Sequence, residues 1–471
     1  MIFTSFTFII FFCILIICLL ASKNNTFRIN VLLVASYIFY GWWNINYLLL
    51  IFIVSFTGWG FAYLISKEKK QAKRKLYLYS NLLICLGMLG YFKYTNFFLD
   101  TLNQAFDFNT RPLDILLPVG ISFFTFQTLS YTLDIYRNKI PVCKSFIKFA
   151  LFVSFFPQLV AGPIVRASEF LPQLEKKIIL TKENFIIGSQ IFLGGALQKV
   201  FVADNLSQYV DIIYKTPEIY SQISLWIAVL AYSIQIFCDF SGYSLMAIGI
   251  ARILGFELPK NFNMPYNAKS ITEFWHRWHM SLSLWLRDYL YISLGGNRKG
   301  TFRTQLNMLI TMLLGGLWHG ASWNFVIWGA LHGIALGVNR FWSLYLRDTI
   351  EKRVGGKLYN LQSWLITIIF VSLLWVPFRS PDTETTFHFI QRLFFASDGV
   401  IWYPTQTLII LLLVSVWHIV HHFNIAKLLS NFPVKSNQLN SYRVIFVIMT
   451  SVYLIALFAP MNTSPFIYFQ F

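Results

Sequence analysis

Apolar runs long enough to cross a bilayer recur from one end of this chain to the other, separated by short basic loops, and no single water-soluble core could hide that much apolar surface. Of 471 residues, 56% are hydrophobic and only 12% charged, at a mean hydropathy of +0.57. The expected class is an all-α polytopic membrane protein, because a helix satisfies its own backbone hydrogen bonds in hydrocarbon. A formal net charge of +18, from 38 Lys and Arg against 20 Asp and Glu, would suggest nucleic acid in a soluble protein. Here the basic residues occupy loops, where they set topology and meet membrane lipid headgroups. No base-reading motif occurs, so no nucleic-acid partner is expected. Cys13, Cys18, Cys85, Cys143 and Cys238 scatter through apolar stretches without metal or disulfide spacing.

The positive loops order the spans. Ile2 to Ala21 lacks a basic leader region and a small-residue cleavage site, and reads as a retained first membrane helix. Ile29 to Trp42 and Tyr47 to Ile65 lead to Lys67-Glu-Lys-Lys-Gln-Ala-Lys-Arg-Lys75, the strongest cytoplasmic marker, which puts the N-terminus outside. Leu76 to Tyr94 goes out again, to an external loop or surface helix from Thr95 to Asp114. Ile186 to Leu206, Leu225 to Leu254, Leu361 to Phe378, Thr405 to His421 and Val444 to Ala459 read as further spans, leaving Arg379 to Trp402 and the tail 460–471 outside. Residues 1–471 read as one integral membrane domain, with no internal repeat and no separate soluble domain.

Two segments, Pro118-Val-Gly-Ile-Ser-Phe-Phe124 and Phe156-Pro-Gln-Leu-Val-Ala-Gly-Pro-Ile-Val-Arg166, put Pro and Gly inside apolar runs. A lipid-facing helix would leave backbone groups unsatisfied there, so broken or re-entrant helices buried among others are expected.

Four of the eight histidines fall between Ile271 and Gly333, in a tryptophan-rich and otherwise apolar setting. Phe274 to Leu290 reads as an amphipathic helix, with Trp275, Trp278, Leu282, Trp285 and Leu286 alternating with Arg277, His279, Arg287 and Asp288. Thr304 to Trp318 is 15 residues, about 22 Å of helix against a hydrocarbon core of about 30 Å. Basic loops flank this run and the returning Trp323 to Trp342, so His319 is expected near the tip of a helical hairpin, short of the far side.

A buried neutral imidazole can act as general base toward a hydroxyl or thiol, and His319 is the first candidate; the alternative is a structural ring bonded to a helix carbonyl. Gly316 and Gly320 would allow a ligand to approach closely. His276 and His279 lie three apart on one expected helical face, but further ligands are missing from the neighbourhood and no metal is expected. His332 reads as an interhelical structural residue, and His418, His421 and His422 as solvated at a helix end. Asp239, a carboxylate in an apolar run, either orients a catalytic group or pairs with a buried arginine. Arg277 and Arg287 either hold donor phosphates or anchor the interface. Neither a nucleophile elbow around Ser281 and Ser283 nor a phosphate-binding glycine loop is present.

Taken with Asn261-Phe-Asn-Met-Pro-Tyr266, Asp239-Phe-Ser-Gly-Tyr-Ser244, Glu273-Phe-Trp-His-Arg-Trp-His279, Leu294-Gly-Gly-Asn-Arg298 and Leu317-Trp-His-Gly-Ala-Ser-Trp323, these segments resemble the membrane-bound O-acyltransferases, in the branch of the alginate O-acetylation membrane protein. The shared motifs run from 118 to 333. The resemblance implies a helical bundle with broken helices around a central cavity, with His319 catalytic and His279 the second histidine. Asp239, Arg277, Trp318, Asn324 and Arg287 become candidates for binding or orienting the donor. The tail, Phe466-Ile-Tyr-Phe-Gln-Phe471, matches a Phe-x-Tyr-x-x-Phe pattern in which the tyrosine, here Tyr468, is proposed to carry the acyl group; otherwise it is an aromatic interface anchor.

The implied activity moves an acetyl group from acetyl-CoA, a co-substrate with no bound cofactor, toward an extracytoplasmic polysaccharide. An SGNH-type transferase and polysaccharide assembly proteins would be partners, in the cytoplasmic (inner) membrane. D-alanyl transfer from a carrier protein to a cell-wall polymer, or a transporter without covalent chemistry, are the alternatives.

Overall fold

The computed structural model describes the chain apart from residues 161, 396–397, 423–441, 460–465 and 468–471. Among the described residues there is no β-strand, only an isolated bridge between Tyr220 and Val400. Five helical stretches are long and apolar enough to cross a membrane: Ile45–Lys67, Gln71–Phe106, Lys182–Lys215, Gln222–Ile253 and Gly356–Arg379. The chain divides into two compact units, Met1–Phe192 with Ser244–Pro259, and Leu193–Tyr243 with Lys260–Phe471.

In the first unit the helix Ile121–Tyr136 is the centre, with 14 of its 16 residues buried. It starts at Gly120, whose φ of 78° and lack of a Cβ are both needed: an added Cβ would sit 2.7 Å from the carbonyl oxygen of Leu159. Asn81 donates to Thr132 Oγ1 at 2.9 Å, tying this helix to Gln71–Leu89. The basic block at 67–75 is largely helical, since only Glu68, Lys69 and Lys70 separate Leu48–Lys67 from Gln71–Leu89.

The expected break around Pro157 is present. Phe146–Ser154 stops at Phe155, a single turn follows at Phe156–Leu159, and residues 163–166, outside any helix, lead into Ala167–Glu175. Phe155, Phe156 and Gln158 are fully buried, so the freed backbone groups need partners inside the protein. Ser36 Oγ accepts from Phe156 N at 3.2 Å, and Gln158 Nε2 donates to Phe152 O at 2.6 Å.

The second unit holds the hairpin Gly300–His319 and Trp323–Tyr345. Its first arm is 20 residues, about 30 Å of helix rather than the shorter arm expected. The extra length comes from His319 at one end and from Gly300-Thr-Phe-Arg303 at the other, where Gly300 turns the chain at a φ of 82°. Glycines let the arms meet backbone to backbone. A Cβ on Gly316 would lie 2.2 Å from Phe325 O, and one on Gly329 would lie 2.4 Å from Met312 O. Gly320 is filled against the Phe325 ring in the same way, at 2.0 Å. Gly316 and Gly320 therefore serve helix packing, not the approach of a ligand.

Gly316→Ala is expected to destabilise the protein by roughly 1–3 kcal/mol. Gly337→Ala on the same hairpin, whose Cβ would meet only Gln305 Cγ at 3.9 Å, should be neutral or mildly stabilising. Thermal unfolding in detergent compares them, and equal midpoints would contradict the backbone-contact assignment.

Candidate active site

His319 is the last residue of its hairpin arm, and the turn beyond it is closed by Ser322, whose hydroxyl accepts from Asn324 N at 3.3 Å. His319 is 3% exposed, and its ring stands edge-on to three aromatic rings: Trp318 and Trp328 at 5.1 Å and Phe378 at 5.3 Å. Phe378 comes from the helix Gly356–Arg379, so the enclosure closes only once that helix packs.

His279 reaches the same enclosure by a different route. The helix expected through 274–290 is interrupted: Ile271–Arg277 ends, and Met280–Trp285 begins after His279, which has a left-handed φ of 40°. His276 and His279 therefore do not share a helical face, and His276 is exposed while His279 is fully buried. Without a Cβ-free residue at this kink, something must hold it. The segment 261–263 does so: Asn263 N donates to Arg277 O at 3.0 Å, Met280 N to Asn261 O at 2.9 Å, and Ser281 N to Asn261 Oδ1 at 3.3 Å.

The outcome is two buried imidazoles with ring centroids 6.4 Å apart. Trp318 is 5.7 Å from the His279 ring, and Phe240 covers it edge-on at 4.6 Å. Among the described residues neither ring nitrogen of His279 has a hydrogen-bond partner. A buried imidazole left this way is costly unless a substrate group completes it. His332 lies behind, accepting from Trp275 Nε1 at 3.3 Å through Nδ1, an interhelical tie.

Asp239 pairs with a lysine rather than an arginine. Lys199 Nζ stands 2.6 Å from Asp239 Oδ1 and 2.7 Å from Asp204 Oδ1, all three side chains being buried. Asp239 Oδ2 accepts the main-chain N–H of Ile467 at 2.9 Å. Sequence reading passed over Lys199, although a lone cation in the apolar run Ile186 to Leu206 was the available signal.

Asn324 is buried and braces the hairpin: it donates to Ser380 O at 3.0 Å and accepts from Thr386 Oγ1 at 3.2 Å. Arg277 pairs with Glu273 at 2.8 Å and donates to Asn263 O at 3.1 Å, next to the kink. Arg287 is largely exposed and pairs with its neighbour Asp288 at 2.7 Å. His418 is not solvated at a helix end: it is buried, with Nδ1 2.9 Å from Val414 O and its ring against Phe237, whereas His421 is exposed. No group of three metal-ligating side chains occurs among the described residues. Tyr468 lies outside the described residues.

The profile of the membrane-bound O-acyltransferase family matches residues 137–376, which include both imidazoles. The chain is 40% identical over 399 residues to a protein named probable alginate O-acetylase AlgI from Pseudomonas aeruginosa, covering 84% of this chain and 75% of that one. It is 40% identical over 390 residues to a peptidoglycan O-acetyltransferase of Helicobacter pylori, covering 77% and 73%. A teichoic acid D-alanyltransferase of Streptococcus thermophilus is 31% identical over 261 residues, covering 50% and 59%.

Asn324→Ala removes both bonds that tie the hairpin to the Ser380 turn and leaves a buried carbonyl short of a donor, at a cost of about 1–3 kcal/mol. Arg287→Ala, at an exposed position, should leave the thermal midpoint unchanged. A midpoint for Asn324→Ala equal to that of Arg287→Ala would show that the brace is unimportant.

Proposed function

Because the chain belongs to the membrane-bound O-acyltransferase family, we propose that it draws an acetyl group from cytoplasmic acetyl-CoA and delivers it toward an extracytoplasmic polysaccharide. O-acyl transfer and a multi-pass membrane setting come with the family, and they set aside a transporter without covalent chemistry. The observation that carries the chemistry is the shared aromatic enclosure of His319 and His279, 6.4 Å apart.

In this reading His319 takes the proton from an attacking hydroxyl as its oxygen bonds to the thioester carbonyl carbon, and His279 polarises or positions the acyl group. The carbon–sulfur bond then breaks and the CoA thiolate recovers the proton. The attacking hydroxyl is that of Tyr468, and a phenol ester suits a relay because phenolate (pKa ~10) leaves more readily than an alkoxide. Support for this role comes from the neighbouring residues: Phe466 and Ile467 are buried, and Phe466 packs on Phe240, the residue that covers His279.

From the aryl ester the acetyl group passes to an SGNH-type transferase and then to the glycan, with both chain termini on the outer side of the inner membrane. Acetyl is preferred to D-alanyl because relatives named for O-acetylation match about four fifths of the chain, and the D-alanyltransferase half of it.

Purified protein incubated with radiolabelled acetyl-CoA should become labelled. His319→Ala and Tyr468→Phe should each carry no label while inserting normally into membranes. Labelled His319→Ala would remove the proposed base, and labelled Tyr468→Phe the proposed carrier.

A further inference from the structure

Why does the second unit bury a lysine between two aspartates? One cation between two carboxylates leaves one negative charge to be met by neutral donors, and ions buried in this way are costly unless every oxygen is engaged. The arrangement is also specifically built. Lys199 sits in the π-helical stretch Leu197–Ala203, where the widened turn re-aims a side chain. Gly242, three residues after Asp239, lets the two helices touch, since a Cβ there would lie 2.6 Å from Gly195 O and 2.9 Å from Lys199 N. A further donor comes from 228 residues away in sequence: the N–H of Ile467, on Asp239 Oδ2 at 2.9 Å. Beside it, the Phe466 ring packs on Tyr243 at 4.6 Å and Phe240 at 5.8 Å, and both tail residues are buried.

We propose that Lys199, Asp204 and Asp239 form a receptor for this chain's own C-terminal segment: Asp239 holds the main chain at Ile467, and Tyr243 and Phe240 form the seat for Phe466. Lys199 and Asp204 are positioning residues acting through Asp239. Gripping the tail one residue before Tyr468 limits how far that residue can reach, and Phe240, on which Phe466 packs, stands 4.6 Å from the His279 ring. The main-chain grip requires an N–H at 467, whereas the aromatic seat selects the residue at 466. The role in acyl transfer rests on the carrier reading above; the grip itself does not.

Ile467→Pro removes the N–H and leaves the Lys199–Asp239 pair intact, and Ile467→Val keeps the N–H together with most of the buried side chain. Amide hydrogen exchange of the protein in detergent, read by mass on the peptide that holds residues 466–471, should run about 10-fold or more faster in the proline variant than in wild type, as loss of a hydrogen bond to a charged acceptor implies. The valine variant should stay close to wild type. Equal exchange in the proline and valine variants overturns the receptor, whether or not the protein labels with acetyl-CoA. In the labelling reaction, Ile467→Pro should acylate at least about 10-fold more slowly at an unchanged KM for acetyl-CoA. A wild-type rate in that variant overturns the positioning role, and an unlabelled wild type overturns the carrier reading alone.

Discussion

A helix that breaks away from water survives only where its freed N–H and C=O groups find partners inside the protein, and this chain meets that condition by side chains in one unit and by one neighbouring segment, through its main chain and the Asn261 side chain, in the other. At Phe155 the partners are Ser36 and Gln158, polar side chains fully buried for the purpose. At His279 they come from the 261–263 segment, which runs alongside the kink and takes up Met280 and Ser281 N–H groups. The second case matters for chemistry. Because residue 279 is left-handed, its side chain leaves the helical pattern and enters the enclosure that His319 reaches from the hairpin.

The hairpin supplies the other half through absence of side chains. Gly316 and Gly329 bring the two arms into main-chain contact, so Trp318 and Trp328, from opposite arms, both face His319 edge-on. The enclosure is therefore a consequence of close helix packing, with Phe378 added by a third helix and Asn324 bracing the joint.

Much of this was legible from the residues. Apolar runs, Pro and Gly within them, and the Trp-His pair of the hairpin identify a helical membrane protein, its break at Pro157 and the place of His319. What misled was periodicity. Trp275, Trp278, Leu282 and Trp285 do form a buried stripe, but His279, which falls between them on the polar face of an ideal helix, is fully buried because the helix is broken there. Likewise the glycines beside His319 read equally well as room for a ligand or for a helix, and only the position of Phe325 decides between them.

By itself the sequence determined the helical class, the membrane setting and which residue types could act as a base, because hydropathy, charge placement and side-chain chemistry are properties of the residues alone; acyl transfer was implied by the resemblance of its motifs. Only the tertiary structure decided that Asp239 meets Lys199 and the tail rather than an arginine, and that His279 and His319 share one enclosure. Both depend on how closely two helices approach and where one of them breaks, which follow from contacts between residues far apart in the chain.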